Sequence, residues 1–126
     1  MAALRIEPKD DTPLVVFNRE EGHFEISGKS MPEDVVDYYT PVLEWLKHYK
    51  SDPLDKTVFD FKLVYFNTAS SKLILDILMI LEEISKKGKE VLVRWQSLET
   101  DEDMQEAGEE YAEMVDLKFD YLWFKK

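Results

Sequence analysis

Cysteine is absent from this chain, which excludes disulfides, zinc–thiolate sites and thiol nucleophiles. Glycine occurs only four times, too sparsely for a Gly-rich phosphate loop. The two histidines, His23 and His48, fall on the polar parity of a strand and near a helix end. Neither shares a nucleophile or metal-ligand motif, so catalysis has little to stand on. Basic residues are also in deficit, 16 Lys and Arg against 27 Asp and Glu, for a formal net charge of −11. That balance argues against nucleic acid and against an anionic membrane as partners, and favours a partner with a basic surface. The longest apolar stretch, Leu73 to Leu81, is about half the ~18 residues of a membrane span, and Asp76 interrupts it. The N-terminus, Met1-Ala2-Ala3-Leu4-Arg5-Ile6-Glu7, has no charged-then-apolar signal segment. A soluble, cytoplasmic protein without cofactor or metal is expected.

What is present is core-forming material. With 44% hydrophobic and 13% aromatic residues, the 126-residue chain can bury a real core and reads as one domain, 1–126. Leu4 to Glu7 reads as a short strand. Pro13 to Asn18 and His23 to Ser27 read as a hairpin around Arg19-Glu20-Glu21-Gly22. Ser30-Met31-Pro32-Glu33 has the spacing of a capping box, Ser followed three residues later by Glu, and predicts a helix from there to about Lys50. Pro41 predicts a kink or break in it, since an interior proline costs roughly 3 kcal/mol.

Thr57 to Phe66 is the clearest strand and reads as a central one, with both faces becoming apolar toward its end. Ser70 to Lys87 follows as a helix with Leu73, Ile74, Ile77, Leu78, Leu81 and Ile84 in a buried stripe and Gly88 as its C-terminal cap. Glu90 to Trp95 is a strand, and Lys118 to Phe124 a last one. Between them, Glu99 through Asp116 holds nine carboxylates and no Lys or Arg, yet Met104, Ala107, Tyr111, Met114 and Val115 keep helical spacing. The fold class is therefore α/β, one mixed β-sheet with helices packed on it, and the strand–helix–strand at 57–95 calls for a parallel crossover.

The chemistry concentrates at Tyr65-Phe66-Asn67-Thr68-Ala69-Ser70-Ser71-Lys72, where strand gives way to helix. Hydroxyls there lie beside the unpaired N–H groups of a helix start, a place that accommodates phosphate. Thr68 is the first candidate acceptor, and Ser70 and Ser71 are rivals better suited to starting the helix. The plain alternative is that Thr68 is an N-cap or turn residue, and a cap hydroxyl can also be a phosphoacceptor. Leu75 and Met79, on the same helix outside its main stripe, are candidate partner contacts; core-edge packing is the alternative. Tyr38, Trp45 and Tyr49 divide between the same two readings. For the acidic segment the readings are a solvated helix face, a docking face for a basic partner, or a metal site. Asp101-Glu102-Asp103 lacks the glycine and spacing of a calcium loop.

Several pieces together resemble the SiaC family of bacterial regulatory phosphoproteins. They are Ile6-Glu7 with Thr12-Pro13, Phe17-Asn18 through Glu25-Ile26-Ser27-Gly28, Ser30-Met31-Pro32-Glu33, Tyr39-Thr40-Pro41-Val42-Leu43-Glu44-Trp45-Leu46, and above all Tyr65-Phe66-Asn67-Thr68-Ala69-Ser70-Ser71-Lys72, whose Asn-Thr-x-Ser-Ser-Lys piece is the most specific. The resemblance spans residues 4–126 and implies a STAS-like fold, similar to anti-sigma-factor antagonists. It further implies partner switching without enzymatic activity. A histidine-kinase-like Ser/Thr kinase would phosphorylate Thr68, and a PP2C-type phosphatase would reset it. The unmodified form would bind and activate a GGDEF diguanylate cyclase, raising cyclic di-GMP and favouring biofilm. The contact expected from the residues themselves is the Thr68 loop and the helix after it, with Asn67, Ala69, Ser70, Ser71, Lys72, Leu75 and Met79 as candidates. Ala69 stands where relatives are expected to carry Ser, which removes one competing acceptor. The alternative of a different class is a constitutive acidic adaptor or a nucleic-acid-mimicking inhibitor that binds a basic surface by charge.

Overall fold

A computed structural model describes residues 1–125. Its elements run β1 (Leu4–Ile6), β2 (Leu14–Asn18), β3 (His23–Ser30), α1 (Val35–Lys50), β4 (Lys56–Phe66), α2 (Thr68–Lys86), β5 (Glu90–Leu98), α3 (Glu102–Met114) and β6 (Lys118–Phe124). The six strands form one sheet in sequence order. β1, β2 and β3 pair antiparallel; β3, β4, β5 and β6 pair parallel. The mixed sheet expected from the sequence is present, and its architecture is compatible with a STAS-like reading.

Alternation along the strands makes this a one-sided sheet. Phe24, Ile26, Phe59, Phe61, Leu63, Val91, Val93 and Trp95 are buried and pack with the apolar stripes of α1 and α2, with Met104 and Tyr111 of α3 and with Val115 just after it. On the opposite face, Glu25 faces Asp60, and Asp60 faces Arg94 in the next strand. The aromatic flank of α1 belongs to the packing. Trp45 stacks on buried Tyr49 at 5.4 Å, and its Nε1 donates to the Ala2 carbonyl. Tyr38 donates to the carbonyl of Pro13.

One local reading is corrected and one is narrowed. Ser30 does not cap α1: it ends β3, paired with Phe66, and its side chain is fully buried. The cap is Asp34, whose Oδ1 accepts from Asp37 N at 3.0 Å. Ladder pairing claimed Ser30 before its capping spacing could act. Pro41 does not break α1 either, which runs unbroken from Val35 to Lys50. The proline sits on the exposed side of the helix, where water can take the carbonyl left without an N–H partner. Gly88 does follow α2 with φ +95°, a left-handed conformation suited to glycine, its N–H donating to the Ser85 carbonyl.

Candidate functional site

Because β3, β4 and β5 are parallel and each leads into a helix, the N-termini of α1, α2 and α3 gather at the C-terminal ends of these strands. The junction of β4 and α2 lies in the middle of that row. Asn67 caps α2: its Oδ1 accepts from Ser70 N at 2.8 Å, and its own N–H donates to the Ser30 carbonyl at 3.1 Å. Thr68 is thus the first residue inside the helix rather than its cap, and α2 begins two residues before the Ser70 start expected from the sequence. An amide side chain explains the shift, since Asn67 reaches the N–H three residues on.

The hydroxyls divide sharply by environment. Ser70 is fully buried; its Oγ donates to the Ser30 carbonyl and accepts from Ser30 Oγ, both at 2.9 Å. The Tyr39 hydroxyl, 2.6 Å from Ser30 Oγ, completes the cluster. Burial pushes the Tyr39 phenol up, against the hydrogen bond to Ser30, so it stays neutral. Ser71 is half-buried and donates to the carbonyl of Thr68 at 2.6 Å. Thr68 and Ala69 are exposed. Of the three hydroxyl residues in the junction, Thr68 is the most exposed.

Beside this exposed turn, α2 and α3 frame a groove of about 260 Å³ lined by Phe66, Ser71, Lys72, Leu75, Ala107, Glu110, Tyr111 and Met114. The groove brings Ser71, Lys72 and Leu75 together. Met79, one turn further along, is 48% exposed and lies outside its wall. The Tyr111 hydroxyl donates to the Ser71 carbonyl at 2.8 Å and fixes α3 against the start of α2. Burial, then the neighbouring Tyr39 and Glu110, push the Tyr111 phenol well above the ordinary tyrosine range, so it remains a donor at any physiological pH. A second hollow of about 270 Å³ lies on the strand side of Phe66, between Tyr65 and the acidic start of α3 at Asp101 and Asp103. The acidic segment therefore has a place in the site, as the far wall and the rim.

Sequence reasoning missed Tyr111, Met114, Ala107 and Tyr65 as site residues. Helical spacing assigned the first three to core packing, and only Tyr111 is buried; Met114 is 61% and Tyr65 49% exposed. Spacing along α3 carries no information about which residues meet α2.

Comparisons with known proteins bear on the family and the fold. A family model for the SiaC family regulatory phosphoprotein matches residues 6–123. An uncharacterized protein of Pseudomonas aeruginosa (strain UCBPP-PA14) is 30% identical over 119 residues, 94% of each chain. The crystal structure of apo-SiaC from Pseudomonas aeruginosa is similar with a TM-score of 0.87 and 29% identity, covering 97% of this chain and 99% of that one. SiaC of the same organism, in complex with the diguanylate cyclase SiaD that it activates, matches with a TM-score of 0.90 and 29% identity over 96% and 99% of the two chains. Motifs, fold and near-complete coverage lead to one conclusion: the chain belongs to the SiaC family of regulatory phosphoproteins.

Proposed function

We propose that this protein is a non-enzymatic partner switch, acting as one domain in the cytoplasm, whose unmodified form binds and activates a GGDEF diguanylate cyclase. Phosphorylation of Thr68 by a histidine-kinase-like Ser/Thr kinase releases the cyclase, and a PP2C-type phosphatase restores binding. Cyclic di-GMP output, and with it biofilm formation, follows the unphosphorylated fraction. The observation that carries the reading is the exposure of Thr68 at the first position of α2, while Ser70 is sealed by Ser30. The capture of SiaC with SiaD in the related structure supports a cyclase as the partner class.

The physics favours release without unfolding. A phosphate adds about −1.5 to −2 charges at pH 7. At the first turn of α2 it meets the positive end of the helix dipole, worth up to about 1 kcal/mol when exposed, and Lys72 stands one turn on. The fold tolerates the modification. A partner packed over Thr68 and the neighbouring groove does not, because it must desolvate that charge.

Incubation with the kinase and ATP, read by intact mass, tests the site: one phosphate is expected, and none in Thr68→Ala. A phosphate that persists in Thr68→Ala overturns the assignment. Thr68→Ala is expected to retain cyclase stimulation and the phosphorylated protein to lose it. A phosphorylated form that stimulates as well as the unmodified one overturns the switch.

A further inference from the structure

The far side of α3 from Thr68 carries a feature that the cyclase switch leaves unused. β6 is an edge strand, paired with β5 alone among the described residues. Its sequence, Lys118 to Phe124, has no proline and no glycine, and its Trp123 is 59% and Leu122 37% exposed. Open edges of this kind offer a row of backbone donors and acceptors to an added strand. Between β6 and α3 lies a pocket of about 160 Å³ lined by Trp95, Ser97, Gln105, Glu109, Tyr121 and Trp123. Aromatic walls with a carboxylate at the rim suit a cationic side chain, by cation–π attraction and a charge-assisted hydrogen bond together. We propose that the β6 edge takes up an extended basic segment of a partner protein as a seventh strand, with one arginine or lysine seated in the Trp123–Tyr121–Glu109 pocket.

Charge chooses this occupant over a second copy. The Tyr121 phenol is raised by burial and then by the carboxylates of Glu109 and Glu113, which places α3's negative face against β6. Pairing two β6 edges in one continuous sheet would set two such faces side by side, from chains that each carry −11. A basic strand relieves that field. On the other face of the added strand, apolar side chains would continue the surface of Leu122 and of Phe124, over which Lys62 Nζ lies 4.7 Å from the ring centroid.

The test uses the full chain and a capped, fluorescein-labelled peptide alternating valine and arginine, titrated by anisotropy. Two further peptides of the same charge carry N-methyl groups, one on its valines and one on its arginines. Successive strand N–H groups point to opposite sides, so one of the two is expected to bind at least tenfold more weakly and the other to bind normally. Trp123→Ala and Glu109→Gln, both at exposed positions, are expected to weaken the parent peptide at least fivefold with an unchanged circular dichroism spectrum, while Thr68→Asp leaves it unaltered. Equal binding of all three peptides, indifference to both pocket variants, or loss in Thr68→Asp overturns the proposal. So does a dimer in sedimentation that Trp123→Ala disperses, since a second copy would then hold the edge.

Discussion

The Ser70 hydroxyl donates to the main-chain carbonyl of Ser30 at 2.9 Å, and the Ser30 hydroxyl donates back to Ser70 Oγ at the same distance. This reciprocal pair ties the first turn of α2 to the end of β3, forty positions earlier in the chain, and Tyr39 joins α1 to it. It leaves the Ser70 side chain fully buried.

Ser70→Ala removes one partner of a buried hydroxyl circuit and leaves Ser30 Oγ with Tyr39 alone. A loss of about 1–3 kcal/mol is expected, because the buried Ser30 hydroxyl still pays its desolvation cost but has lost one of its two partners. Urea titration reads it. The same variant is expected to accept one phosphate as the unaltered protein does, by intact mass. Loss of that phosphate with the fold intact would move the acceptor from Thr68 to Ser70.

Asn67 serves the site through the backbone. Asn67→Ala deletes the acceptor for Ser70 N and is expected to cost about 1 kcal/mol. Asn67→Asp keeps an acceptor and adds charge at a helix N-terminus, so it is expected to match or exceed the original stability. Thermal unfolding of the pair separates capping from any other role. Equal losses in both variants would show that the amide, not the acceptor oxygen, matters.

Gly108 answers to tertiary packing. A Cβ built there would lie 2.5 Å from Cδ1 of Trp95, whose ring is buried and held by a 2.9 Å bond from Nε1 to the Met104 carbonyl. Gly108→Ala gains about 1 kcal/mol of helix propensity. Overpacking against a ring that cannot swing away outweighs it, typically by about 1–3 kcal/mol. A net destabilisation is expected in urea, with a change in Trp95 fluorescence. A stabilised variant would show that α3 slides freely over β5.

These particulars mark where the sequence was legible. Apolar alternation and the polarity change after Phe66 announced β4, α2 and the junction between them, since both signals are local. The sequence alone starts α2 two residues late, at Ser70 rather than Thr68, because Asn, Thr and Ser all cap helices and only geometry chooses among them. Ser30 departs from expectation for the opposite reason: its spacing to Glu33 suits a capping box, but it pairs with Phe66 and is buried. The glycine under Trp95 and the α3 wall of the groove left no local trace, as each depends on residues far apart in sequence.

Glu25 and Asp60, opposite each other on the open face of the sheet, respond to acid with opposite signs. Burial raises the Asp60 carboxyl above its ordinary range, and Glu25 adds to this, while Arg94 and Gln96 only partly compensate. Arg94 Nε lies 3.0 Å from Asp60 Oδ1 but is not aligned for a hydrogen bond, so the compensation is incomplete. Burial also opposes ionisation of Glu25, yet hydrogen bonds from His23 and Ser27 and the charges of His23 and Lys62 outweigh it and hold the group low. Linkage then fixes the directions. The raised Asp60 contributes stability that is present below its unfolded pKa and lost as pH rises through the folded one. The lowered Glu25 contributes stability that is present above its unfolded pKa and lost as pH falls through the folded one. Across about pH 3 to 6, Glu25→Gln is therefore expected to flatten the rise of stability with pH. Asp60→Asn is expected to steepen it, because the gain from protonating Asp60 disappears. Urea midpoints at half-unit pH steps read both slopes. Slopes that change in the same direction would show that the two carboxyls titrate as one pair with no separate assignment.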